Sequence, residues 1–169
     1  MPGCDSAAAV VRYPNDMPDE SFDHPGRAVA RLARQVELAL ARVDLTLPQY
    51  RVVILLGEGQ EAASALAEKL AVSRPSVTGV VDGLVARGLV ERHHDRDDRR
   101  RVGHELTAEG RRLLEAADAE IERRLGEVAT YGPASVAAAF EGLRPWRESL
   151  DAYRSARRAA RASGAEVTR

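Results

Sequence analysis

The chain has 169 residues, 44% of them hydrophobic and 30% charged, with a formal net charge of −1. That length suits one domain of ordinary size with its own core, and a near-neutral total means that any basic surface must be local. No apolar run approaches the roughly 20 residues of a membrane-spanning helix and no signal peptide is recognised. A single cysteine excludes an intrachain disulfide framework and fits a cytoplasmic protein with no membrane partner.

Residues 1–21 are rich in Pro, Asp, Ser and Gly without a sustained period, and are expected to form a disordered tail. Asp5, Asp16, Asp19 and Glu20 make it acidic against Arg12 alone, and Cys4 lies within it. Val29, Leu32, Val36, Leu40 and Val43 then recur at spacings of 3, 4, 4 and 3, which predicts an amphipathic helix from about Gly26 to Val43. Segment 22–45 is expected to be an N-terminal dimerisation helix, because it and the C-terminal helices carry more apolar surface than the small domain between them can cover. Leu47-Pro48 opens a second helix carrying Tyr50, Val53, Ile54 and Leu55, and Gly57 stops it. Gly57-Glu58-Gly59 is a loop that lacks the third glycine and preceding strand of a nucleotide site.

Segment 46–107 is expected to be a winged helix-turn-helix lobe. Ala62, Ala65, Leu66 and Leu70 share one helical face, and Ala71-Val72 makes a brief turn. Ser73 followed by Arg74-Pro75 is a helix start, and Val77, Val80, Val81, Leu84 and Val85 form the buried stripe of the helix it opens. Gly88 is placed to end that helix as a left-handed cap. Its exposed face carries Ser73, Arg74, Ser76, Thr78, Gly79 and Asp82, short polar groups crowded near the N-terminus, as a major-groove reader requires. A solvated helix face is the alternative.

Leu89–His93 and Arg101–Leu106 read as two strands around a charged turn. From Arg92 to Arg101 five arginines face three aspartates, so the hairpin is locally basic. Arginines at such a tip can enter a narrow minor groove, and a neighbouring carboxylate can hold one extended by a bidentate pair. His93, His94 and His104 cluster near this wing, but His93 and His94 point to opposite strand faces and no cysteine supports them. No metal and no cofactor is expected; one histidine should pack under the wing and another face DNA or water.

Leu113, Leu114, Ala117, Ile121, Leu125 and Val128 predict a long helix ending near Tyr131-Gly132-Pro133. Val136, Phe140 and Leu143 begin a last helical region, interrupted at Pro145 and continued by Trp146, Leu150 and Tyr153. Segment 108–162 is expected to supply C-terminal dimerisation helices, because its apolar surface exceeds what a small winged helix can cover. Arg154, Arg157, Arg158 and Arg161 make a basic run before a tail at 163–169, expected to be a solvated helical end, with an end that reaches back over DNA as the alternative. The fold class is thus mainly α (α+β): a winged helix-turn-helix with a two-stranded wing, flanked by N- and C-terminal dimerisation helices.

The stretch LAEKLAVSRPSVTGVVDGLVARGLVER, the run Asp95-Arg96-Asp97-Asp98-Arg99-Arg100, and Leu106-Thr107-Ala108-Glu109-Gly110 stand in the order found in the MarR family of winged-helix transcription regulators, which the chain resembles. The resemblance implies that Arg100 reaches the minor groove, that Asp98 braces it and that Arg99 touches phosphate. It also implies that Arg74, Ser76 and Thr78 contact bases and phosphates, and that Ser64 touches backbone from the preceding helix. Arg96 replaces the usual wing proline, and Gly79 and Gly83 stand where many relatives carry larger or basic side chains. Relatives that sense peroxide place their thiol at the start of the first helix, whereas Cys4 lies well ahead of it.

The candidate DNA-binding set is Ser64, Ser73, Arg74, Ser76, Thr78, Arg92, Asp98, Arg99 and Arg100. The expected function is a sequence-specific regulator of transcription, a ligand-responsive repressor that binds a pseudo-palindromic operator in double-stranded DNA as a homodimer. The resemblance implies a small effector, often an anionic aromatic compound, in a crevice between dimer helices and DNA-binding lobe. Tyr50, His24, Arg27 and Trp146 are available to line such a crevice, or serve as packing and surface cover. No catalytic constellation stands out. A protein-binding adaptor that keeps the winged helix without specific DNA binding is the alternative.

Overall fold

The computed structural model of the protein describes residues 24–94 and 102–162. Helix α1 (Pro25–Ala41) starts with proline in its first turn, and α2 (Leu47–Gly57) starts with a capping box in which Thr46 and Gln49 satisfy each other's backbone N–H groups. Strand β1 (Glu61–Ala62) leads directly into α3 (Ala63–Leu70). Helix α4 (Arg74–Ala86) is followed by β2 (Val90–His94), β3 (Val102–Leu106) and α5 (Ala108–Ala129). Helices α6 (Ala134–Glu141) and α7 (Arg144–Ala162) complete the described chain. The expected helix and strand pattern is present, with one addition and one shift. The addition is β1; the shift is that the chain breaks at Gly142-Leu143, so that Pro145 sits in the first turn of α7 instead of interrupting a helix.

The sheet is antiparallel with order β1-β3-β2, so the expected two-stranded wing has a third strand at its base. Val90 pairs with Leu106, Arg92 with His104 and His94 with Val102, while Glu61 takes the other edge of His104. The two-residue β1 has no periodicity of its own; its conformation comes from pairing with Gly103 and His104.

The core is the lobe's own. Leu56, Leu66, Val77, Val81, Leu84, Val90 and Leu106 are all buried, joined from α1 by Leu40 and from α5 by Ala117. Burial of each such side chain is worth about 1.5–3 kcal/mol, so this cluster dominates the stability of the lobe. Helix α5 is locked to it through Thr107, whose Oγ1 accepts from Gly110 N at 3.0 Å and donates to the Gly88 carbonyl at 2.8 Å. Gly110 lies so close under the Leu89 carbonyl that a Cβ would stand 2.1 Å from its oxygen. The Leu-Thr-x-x-Gly run is thus a fastening between wing base and long helix.

The apolar stripe of α1 divides in two. Leu40 is buried, but Val29 and Leu32 lie open to solvent. Toward α5, Gln35 accepts two hydrogen bonds from the Arg124 guanidinium, at 3.0 and 2.8 Å, and Arg42 pairs with Glu120 at 2.8 Å. Helix α7 likewise leaves Trp146, Leu150 and Tyr153 exposed, with Leu143 just ahead of it.

Candidate nucleic-acid interface

Helix α4 is built to present its first turn. Ser73 is its N-cap, accepting from Ser76 N at 3.3 Å, and Pro75 occupies a position where no intrahelical N–H is needed. Val77, Val81 and Leu84 turn inward, which leaves Ser73, Arg74, Ser76, Thr78 and Gly79 exposed together. At the far end Gly88 takes φ +70°, and the Leu89 N–H returns to the Leu84 carbonyl at 3.0 Å. The turn before α4 holds Ala71 at φ +55°, a left-handed conformation that glycine adopts more readily.

Between α4, the start of α3 and the sheet runs an open groove of about 520 Å³ lined by Ser64, Arg74, Thr78, Asp82, Arg92 and His104 among others. Four of the expected contact residues therefore share one surface: Ser64 from α3, Arg74 and Thr78 from α4, and Arg92 from the wing. The Ser73 and Ser76 hydroxyls hydrogen-bond to each other at 2.7 Å, beside the groove on the same helix turn. The Thr78 hydroxyl donates to the Arg74 carbonyl at 3.0 Å, so its remaining capacity is as an acceptor. Asp98, Arg99 and Arg100 lie outside the described residues.

Arg92 is not a free cation in this groove. Its Nη2 donates to the Asp82 carboxylate, which joins the wing to the one acidic residue of α4. In the sequence both residues fall on the expected DNA face, but ten residues and a turn separate them and hide their pairing. The Arg74 guanidinium, by contrast, makes no hydrogen bond or ion pair within the described residues and stands at the N-terminal end of α4, where the helix dipole also favours an anion.

The histidines separate as strand alternation requires. His104 is the buried one, in the central strand on the groove side, and its Nδ1–H donates to the Glu61 carbonyl at 3.3 Å. Burial holds its pKa below the usual histidine value, the Glu61 carbonyl opposes this in part, and the nearby Arg92 guanidinium adds to the lowering. His93 lies on the opposite face, with Nε2 at 3.2 Å from a Glu91 oxygen and 3.8 Å from a Glu105 oxygen. No group of three or more His, Cys, Asp or Glu among the described residues is arranged to hold a metal ion.

Of the residues considered for a small-molecule crevice, Tyr50 is committed to a contact inside the chain. Its hydroxyl donates to Asp118 of α5 at 2.5 Å; burial, this bond, and the charges of Asp118 and Glu122 push the phenol above its ordinary range. His24 is the N-cap of α1, and Trp146 is exposed on α7. No helix among the described residues is long and apolar enough to cross a membrane.

Comparison with known proteins agrees with this geometry. The profile of a family described as the MarR family matches residues 45–102, from the α1–α2 corner to the first residue of β3. The chain is 36% identical over 94 residues to the HTH-type transcriptional regulator FarR of Neisseria gonorrhoeae, covering 55% of this chain and 64% of that protein. The matches span between 42% and 65% of the length of such curated relatives. A structure of a MarR variant from E. coli complexed with operator DNA superposes with a TM-score of 0.56 at 25% identity, over 70% of this chain and 89% of that one. CouR from Rhodococcus jostii, bound to p-coumaroyl-CoA, superposes with a TM-score of 0.57 at 28% identity, over 76% and 87% of the two chains.

Proposed function

The chain belongs to the MarR family through its winged helix-turn-helix lobe, and from that premise we propose that it is a sequence-specific, double-stranded-DNA-binding regulator of transcription. It acts as a homodimeric repressor on a pseudo-palindromic operator and is released by a small molecule. The observation that carries this reading is the groove in which the open first turn of α4, with Arg74 and Thr78, stands beside Ser64 of α3 and the wing base. A helix entering the major groove contacts base edges with its N-terminal residues, while the preceding helix touches backbone. In this reading Ser73, Arg74, Ser76 and Thr78 face the major groove, Ser64 faces phosphate, and Asp98, Arg99 and Arg100 work at the wing tip. The MarR–operator structure supports the DNA partner, and the CouR complex supports an effector, here of the anionic aromatic class. The work is done beside the chromosome in the cytoplasm and calls for no catalysis.

Gel-shift titration on the DNA upstream of the protein's own gene, at increasing salt and then with a panel of aromatic carboxylates added to the preformed complex, tests the reading. A steep fall in affinity with salt is expected, because phosphate contacts release counterions. Release by one aromatic acid but not by its relatives is expected for the effector. Salt-insensitive or absent binding would favour an adaptor that uses the winged helix for protein partners.

A further inference from the structure

The end of α4 is attached to the rest of the molecule by a directional contact remote from the reading surface. Arg87 caps α4 at its C-terminus, and its Nη1 donates to the main-chain carbonyl of Asp44 at 2.7 Å, 43 residues earlier in the chain. Asp44 lies in the corner between α1 and α2 and takes φ +60°, an uncommon conformation for a residue with a side chain. The same corner is held by the Leu45 N–H on the Leu40 carbonyl at 3.0 Å and by the burial of Leu45. Two residues before Asp44, Arg42 reaches across to Glu120 of α5 at 2.8 Å. The corner is thus tied on one side to the long helix and on the other to the end of the reading helix.

We infer that Arg87 is a positioning residue: its grip on the Asp44 carbonyl sets the angle at which α4 is carried by the α1–α2 corner, and with it the half-site spacing that a dimer accepts. This rests on the dimeric DNA-binding reading above. The buried stripe of Val77, Val81 and Leu84 holds α4 against the core, but apolar contact is non-directional and leaves tilt soft. A helix of 13 residues is about 20 Å long. Pivoting it by about 10° at the Arg87 end therefore moves its N-terminal reading turn by about 3.5 Å, close to the rise of one base pair. In a symmetric dimer the displacement occurs twice, so a modest loosening at Arg87 converts into a change of one or two base pairs in preferred spacing.

The test uses full-length wild type, Arg87→Ala and Arg87→Lys on duplexes first selected by the wild type from a random pool, then remade with half-site spacing changed by one or two base pairs. Wild type should prefer one spacing by about tenfold or more. Arg87→Ala should flatten that ratio to about threefold or less, with unchanged dimer mass and unchanged salt slope, and Arg87→Lys, which keeps a donor, should recover part of it. A merely structural role would lower affinity equally on every duplex, and a phosphate contact would reduce the salt slope; either result overturns the inference. If Arg87→Ala does not fold, Arg87→Lys decides: a spacing ratio equal to wild type overturns the inference and a reduced one supports it. Wild type without any spacing preference removes the dimeric reader itself and this inference with it, whereas a preference that survives in Arg87→Ala removes this inference alone.

Discussion

Asp82 is an acidic side chain on the surface proposed to meet DNA, and its pairing with Arg92 offsets its charge there. Both partners are about half exposed, so the pair contributes at most about 1 kcal/mol to stability, and its effect should be seen in DNA binding. Asp82→Asn leaves the fold in place, removes a negative charge from the groove and frees Arg92 for phosphate. Non-specific affinity should then rise several-fold at low salt, with the slope of log affinity against log salt steeper by about 0.9, the value of one added phosphate contact. Arg92→Ala should do the reverse, leaving Asp82 unpaired and weakening binding about tenfold or more. Fluorescence anisotropy on a random duplex reads both, and an unchanged slope in Asp82→Asn would show that Arg92 stays away from the backbone.

At the scale of elements, the local signals were legible and the contacts between elements were not. Ser73-Arg74-Pro75, Gly88 and Thr107 each announce a helix boundary through chemistry confined to a few residues, and the structure uses each one that way. Strand β1 was missed because two residues cannot show a period, and the Asp82–Arg92 pair was missed because charge on a helix face does not reveal its partner. Two glycines within one helix, Gly79 and Gly83, allow two readings, a loose helix or a close approach to DNA. A Cβ at either position meets nothing within 4 Å, so no neighbour among the described residues demands glycine there. Replacing each with alanine should therefore stabilise α4 by up to about 1 kcal/mol, read as a higher melting temperature. The two should part company on DNA. Gly79 is exposed beside Thr78, and Gly79→Ala should bind its operator several-fold more weakly despite melting higher; Gly83 is half-buried, and Gly83→Ala should bind as wild type does. Wild-type affinity in Gly79→Ala would leave helix looseness as the reading of that glycine.

For the whole molecule, the decisive feature is apolar surface that one chain leaves uncovered. Leu143, Trp146, Leu150 and Tyr153 recur at spacings of 3, 4 and 3 along or just before α7, and all four are exposed, as are Val29 and Leu32 on α1. Among the described residues, the buried cluster that holds the winged-helix lobe includes none of α7. If the proposed dimer is held by the α7 stripe, disrupting it should separate the copies without unfolding the lobe, so assembly and folding can be measured apart. Wild type is expected to sediment at twice its chain mass of 18.3 kDa, and a Trp146→Glu, Leu150→Glu double variant at one chain mass. The variant should retain its helical circular dichroism while losing about a hundredfold or more in operator affinity, because the second half-site no longer binds as an intramolecular event. Wild type that sediments as a single chain at micromolar concentration would remove the dimer, and a monomeric variant with full operator affinity would show that one lobe suffices for recognition.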